Sequence, residues 1–247
     1  MRQSVVPFAP RVQVVMGCIV PAILTADQIA ELRQIDSATV ANAIEPFDVR
    51  DKTEGYLGSS VRCLFSDFAE PMVGYAVTVK GDSTTYARRR DPSLQMELWE
   101  ILEKAPTPSV VVIQDGGNNP AKSCHCGDVM ATIIKSLGGV GVVTDGGVRD
   151  LAEVRDIGIQ YFARGVTVSH GTAVLYEAGE PVIIDGTPIK TGDLIHGDAN
   201  GVVVIPDAIA GQVVEGSRKV LAEEAGRKEF ARQPGFTAAK YREFMGL

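Results

Sequence analysis

A layered α/β domain with a parallel sheet is what this sequence predicts, and three observations predict it. Apolar, β-branched runs at Ser109 to Gln114 and Val140 to Thr144 alternate with amphipathic stretches in the order strand, loop, helix, strand, turn, helix, the pattern of βα units with parallel strands. Downstream, Gln160 to Ala163, Val182 to Ile184, Pro188 to Lys190, Leu194 to His196 and Val202 to Ile205 are short strand-like runs parted by Gly-Asp and Asp-Gly turns, which predicts a β-rich second layer. The 247 residues, 45% hydrophobic, suffice to bury one large core.

The elements follow in order. Thr25 caps a helix expected from Ala26 to about Ile35, and Asp36-Ser37 cap a second reaching Ile44. Asp48 to Gly58 is charged and contains glycine, hence loop; Val61 to Phe65 predicts a brief strand and Met72 to Lys80 a longer one. At Asp91-Pro92 a capping residue precedes a helix-opening proline, and Leu94, Leu98, Ile101 and Leu102 form the apolar face of the helix, which carries Trp99 in a core or interface role. Asp115 to Cys126 is a loop whose length marks it as functional, with Gly116-Gly117 permitting close approach of a ligand. Val129, Ile133, Ile134 and Leu137 fall at helical spacing, stopped by Gly138-Gly139. After the turn Asp145-Gly146-Gly147, a helix opens near Arg149 and continues through Leu151, Val154 and Ile157 to Gly158. Residues 207–247, with Ile209, Val213, Val220 and Leu221, read as a solvated or subunit-wrapping helix pair. The organisation expected is an extension at 1–24, one catalytic α/β domain at 25–206 and a helical extension at 207–247.

A net charge of −7 and a pI near 5.1 exclude a nucleic-acid role, which needs concentrated Lys and Arg. The one dense basic run, Arg88-Arg89-Arg90, suits a solvated or subunit-facing loop. Val12 to Leu24 is interrupted by Gln13 and Pro21 and falls short of the about 18 residues needed to cross a bilayer. No cleavage site precedes Thr25-Ala26-Asp27, so residues 1–24 read as a cytoplasmic extension, with no membrane partner expected. Cys18, Cys63, Cys124 and Cys126 are too scattered for a disulfide framework, and Cys124-His125-Cys126, lacking a second ligand cluster, reads as free thiols rather than a zinc site. No G-x-G-x-x-G follows either strand, which argues against a dinucleotide. His170 and His196 stand alone and read as packed or surface histidines.

Chemistry concentrates between Gly127 and Asp150. Gly127-Asp128 and Arg149-Asp150 each follow a strand and open a helix, so neighbouring strands would bring both pairs to one crevice. The free amides of Val129 and Met130 would hold a carboxylate, Arg149 would add a fixed positive fork, and an Asp beside that Arg suits a hard divalent cation with water ligands. Asp150 is the candidate ligand. On spacing alone, the same residues also suit plain helix-dipole carboxylates and a surface ion pair.

Asp128, twenty intervening residues and Arg149-Asp150 resemble the D-x20-R-D pattern of the RraA-like family, which includes metal-dependent class II pyruvate aldolases such as 4-hydroxy-4-methyl-2-oxoglutarate aldolase. Val73 to Val79, Gly141 to Asp150, Phe162 to Gly165, Gly192-Asp193 through Asp198 and Gly201 to Val204 are similar to family blocks in family order, over roughly residues 37 to 206. The resemblance implies a swivelling β/β/α sandwich, assembled as a trimer or hexamer with sites near subunit boundaries. It implies a lyase that cleaves a 4-hydroxy-2-oxo dicarboxylic acid to pyruvate, with oxaloacetate decarboxylation alongside. Asp150 would hold Mg²⁺ or Mn²⁺, Arg149 stabilise the enolate oxygen, the Val129 and Met130 amides bind the carboxylate, and Asp128 orient a proton-relaying water. No lysine Schiff base is called for: Lys135 is in mid-helix and Lys122 shows no sign of activation. Two alternatives stand beside this. RraA proteins proper are regulators that bind ribonuclease E, and in them the residue after the arginine is typically not Asp, so Asp150 favours an enzyme. The other is a metal-dependent decarboxylase or lyase of a sugar-derived acid, because Cys124-His125-Cys126 and the long N-terminus depart from the family pattern.

Overall fold

The computed structural model describes residues 23–86 and 89–247. Most of the 1–24 extension, Cys18 with it, and Arg88 of the arginine run lie outside the described residues.

Local signals set the helix starts. Thr25 and Gln28 exchange side-chain and backbone bonds in a capping box that opens α1 (Ala26–Leu32), and Asp36 Oδ1 accepts from Thr39 N to open α2 (Ser37–Ile44). α1 stops short of Ile35 because Asp36 is already committed to the next helix. β1 (Arg62–Cys63) and β2 (Met72–Asp82) precede α3 (Pro92–Lys104), whose cap Asp91 accepts from Ser93 N at 3.0 Å. There follow β3 (Ser109–Asp115), α4 (Asp128–Ser136), β4 (Gly139–Thr144), β5 (Gly147–Val148), α5 (Leu151–Ile157), β6 (Gln160–Ala163), β7 (Gly165–Val166), β8 (Val174–Tyr176), β9 (Val182–Ile184), β10 (Thr187–Ile189), β11 (Leu194–Asp198), β12 (Gly201–Ile205), α6 (Ala210–Ala231) and α7 (Ala238–Phe244).

One mixed, nearly closed sheet runs β1-β6-β4-β3-β2-β11-β12, with β8 paired to the far end of β2. Its centre, β6-β4-β3-β2, is parallel, and the connecting helices α3, α4 and α5 all pack on one face. Successive residues of β3 serve opposite cores: Val111 and Ile113 meet Leu98, Leu102, Ala131, Ile134 and Val154, whereas Val110 and Val112 meet Val182, Ile184 and Ile189 of the β9–β10 hairpin. A strand buried on both faces reads as a continuous apolar run, and each fully buried Val or Ile contributes about 1.5–3 kcal/mol of transfer free energy. A third core joins α1, α2 and α6 to Val73, Tyr75, Leu194 and Val203.

Two expectations need adjusting. Of the strands assigned to a second layer, β6 lies parallel to β4, β11 pairs antiparallel with β2 and β12 with β11, all within the main sheet, so that only β9–β10 stand apart. Val129, expected on the inward face of α4, is 69% exposed; Ile134 of that face is buried as expected, and Ala131 joins it. Among the described residues no helix is long and apolar enough to cross a membrane.

Candidate active site

The parallel strands β2, β3 and β4 end side by side at Asp82, Asp115 and Thr144, and the chain beyond them builds a wall from two helix starts. A ladder joins those starts. His125 N donates to Gly147 O at 2.9 Å, Cys126 bridges Val148 in parallel fashion, Arg149 N donates to Cys126 O at 3.0 Å, and Asp128 N donates to Asp150 Oδ2 at 3.1 Å. Asp128, Arg149 and Asp150, predicted to share a crevice, are thereby brought together.

Gly127 makes the approach feasible. A Cβ there would lie 2.4 Å from Asp150 Oδ2 and 2.8 Å from Arg149 Nε, so any side chain would push into the pair. Asp150 caps α5 in the left-handed region (φ 57°, ψ 46°), a conformation that Asp tolerates better than most residues and that turns its carboxylate toward the α4 start. Arg149 Nε is 3.2 Å from Asp150 Oδ2, yet it is buried without a well-directed hydrogen bond, so the contact is ionic only. The guanidinium ends and Asp150 Oδ1 carry no bond among the described residues.

The two predicted substrate-binding amides differ. Val129 N already donates to Asp128 Oδ1 at 2.7 Å, so an incoming carboxylate would have to displace that side chain. Met130 N, third in its helix, has no helical acceptor. A cleft of about 300 Å³ opens here, lined by Cys126, Asp128, Met130 and Arg149 and, from other segments, by Arg90, Gln95 and His170. Asp150 borders Arg149 without lining the cleft itself.

Below this wall lies a polar cluster that sequence reasoning missed. The buried His125 ring places Nε2 3.0 Å from Asp115 Oδ1, which also accepts from Gly117 N. Burial alone would raise the Asp115 pKa, but the bond and charge of His125 hold it below the usual carboxylate value. Asp115 N in turn donates to Asp145 Oδ1 at 2.6 Å, and burial pushes the Asp145 carboxyl up. The available signal was three polar residues, Asp115, His125 and Asp145, at strand ends; their pairing is not local. His125 is therefore turned toward Asp115, while Cys124 and Cys126 are unbridged, buried thiols. Burial pushes Cys126 up to about 12, which leaves it protonated and a poor nucleophile. His196 is a packed histidine whose Nε2 faces Leu32 O at 3.0 Å; His170 is a surface histidine, but one at the cleft.

Among the described residues no group of three or more His, Cys, Asp or Glu side chains can enclose an ion, so one bound at Asp150 would complete its shell with water and substrate oxygens, as Mg²⁺ does.

The family model described as RraA-like, Aldolase/RraA, matches residues 28–204. A Halalkalibacterium halodurans protein provisionally named a 4-hydroxy-4-methyl-2-oxoglutarate aldolase is 31% identical over 201 residues, covering 79% of this chain and 88% of that protein. Among solved structures, an uncharacterised protein from Pseudomonas syringae superposes with a TM-score of 0.65 at 26% identity, over 89% of this chain and 98% of the other. Streptomyces coelicolor RraAS2, described as an unusual member of the RNase ES inhibitor RraA family, does so at 0.64 and 24%, over 83% and 97%, and shares the fold. From α1 to β12, this chain belongs to the RraA-like family.

Proposed function

We propose that the protein is a carbon–carbon lyase that cleaves a 4-hydroxy-2-oxo dicarboxylic acid, such as 4-hydroxy-4-methyl-2-oxoglutarate, to pyruvate and a second carbonyl compound, and that it also decarboxylates oxaloacetate. The observation that carries this reading is the meeting of Asp128, Arg149 and Asp150 at two helix starts, with Asp128 and Arg149 lining one cleft and Asp150 directly behind them. Both reactions leave a pyruvate enolate, so both need positive charge at the same oxygen. A divalent ion at Asp150, Mg²⁺ or Mn²⁺, would supply Lewis acidity toward the C1 carboxylate and C2 keto oxygens. Arg149, anchored through its backbone to Cys126 and flanked by Asp150, would meet the developing enolate charge with its guanidinium. The Met130 amide takes the substrate carboxylate, with Val129 joining once Asp128 releases its amide. Released, the Asp128 carboxylate orients the water that carries the C4 hydroxyl proton away.

Assembly as a trimer or hexamer belongs to this reading. Val129, Val166 and Val168, exposed on elements around the α4–α5 ladder, are apolar surface that a neighbouring subunit would cover. The test is pyruvate release from oxaloacetate and from a 4-hydroxy-2-oxo acid, with and without EDTA, in wild type and Arg149→Gln. Release that stops in chelator, returns with Mg²⁺ or Mn²⁺ and fails in Arg149→Gln supports the enzyme. Full turnover in excess chelator removes the metal, and no turnover of any 2-oxo acid favours the ribonuclease-binding regulator instead.

A further inference from the structure

We infer that Arg90, steered by Gln95, is the specificity residue that reads a second acidic group on the substrate, an inference that rests on the function proposed above. The cleft has two sources of positive charge on separate elements. Arg149 and the amides of the α4 start hold one end, where the reacting carboxylate and keto group belong. Arg90 reaches the same cleft from the segment leading into α3.

Arg90 is poised rather than spent. Its Nη2 donates to Gln95 Oε1, a neutral acceptor in the first turn of α3, and it forms no ion pair with any carboxylate among the described residues. By contrast, Arg155 and Arg218 are each paired with a carboxylate. The segment is fixed at its root by Asp91, whose side chain accepts from both Ser93 N and Ser93 Oγ. A guanidinium held by an amide keeps its charge and several donors for a ligand, and its planar fork matches a carboxylate bidentately. His170 lines the same cleft and, with Nδ1 donating to Gly171 O, keeps its other ring nitrogen for a ligand. A cleft with cationic groups from two separate segments selects a dianion over a monoanion of equal length.

The test separates binding from turnover. Titration calorimetry with Mg²⁺ present compares 2-oxoglutarate, which carries the second carboxylate, with 2-oxopentanoate, which lacks it. Wild type is expected to prefer 2-oxoglutarate by roughly tenfold or more, the usual worth of a charged hydrogen bond. Arg90→Gln should lose that preference while binding 2-oxopentanoate as before, and Arg90→Lys, which keeps the charge, should retain part of it. In turnover of a 4-hydroxy-2-oxo dicarboxylic acid, Arg90→Gln should raise KM and leave kcat nearly unchanged. An undiminished preference in Arg90→Gln overturns the inference and leaves the proposed function standing. If wild type binds neither acid, the proposed function falls and this inference with it.

Discussion

The two sides of the cleft are built differently. The α4–α5 side is tied by successive backbone bonds between residues 125–128 and 147–150, backed by the buried Asp115–His125 pair and packed so closely that Gly127 has no room for a side chain. The Arg90–His170 side is exposed and secured by one bond from each side chain, to Gln95 and to Gly171 O. Groups that must meet a developing charge need fixed geometry, and the first side supplies it; groups that only sort substrates tolerate adjustment. Substitutions on the first side should therefore act on kcat or on stability, and those on the second on KM.

The largest effect is expected at Asp150. Asparagine keeps the size and the tolerance of the left-handed conformation, so Asp150→Asn should fold and assemble as wild type while losing about 10³-fold or more of pyruvate release, with no recovery at high Mg²⁺. Steady-state kinetics across a metal titration measures this. A loss confined to KM would place Asp150 with the adjustable side.

Next comes the support beneath. His125→Leu leaves Asp115 buried without its partner and should destabilise the protein by about 3 kcal/mol, read by denaturant unfolding. The sign with pH follows from Asp115, whose folded-state pKa is held below the ordinary carboxylate value. Its stabilising contribution is complete above that ordinary value and is lost as pH falls toward the folded one. Wild type should thus lose stability in acid more steeply than His125→Leu. Parallel acid profiles would mean that the pair adds nothing to the rigidity of the first side.

Asp128 should give a smaller and more selective loss. Retro-aldol cleavage must remove a hydroxyl proton and oxaloacetate decarboxylation has none to remove. Asp128→Asn is expected to lose about 100-fold in aldol cleavage and much less in decarboxylation. Equal losses would assign Asp128 to the enolate or the metal, and unchanged rates would leave it a helix-start carboxylate bonded to Val129 N.

Much of the fold and of the rigid side was legible because the signals are local. Capping at Thr25, Asp36 and Asp91, the glycine stop at Gly158 and the placement of Asp128 and Asp150 at helix starts each depend on a few consecutive residues. What escaped depends on partners distant in sequence or on orientation. Asp115 and His125 meet across the loop, and β11 joins β2 more than a hundred residues away. Val129 satisfies the helical period yet points outward, because the period fixes which residues share a face but not where the first turn faces once the α4 start opens on a cleft. Arg90 read as part of a basic surface run, since nothing in Arg88-Arg89-Arg90 marks which arginine reaches the cleft.

The smallest effect should come from His170, and it tests the adjustable side most directly. Its Nδ1 is 2.9 Å from Gly171 O, and the side chain is exposed, so any bond from its other nitrogen to a substrate competes with water. Such a bond is worth about 0.5–1.5 kcal/mol at most. His170→Asn should then raise KM for a 4-hydroxy-2-oxo dicarboxylic acid about two- to tenfold and leave kcat and unfolding stability unchanged, since the ladder from Cys126 to Asp150 does not pass through it. A fall in kcat would show that His170 touches the reacting atoms and that the chemistry is shared between both sides of the cleft.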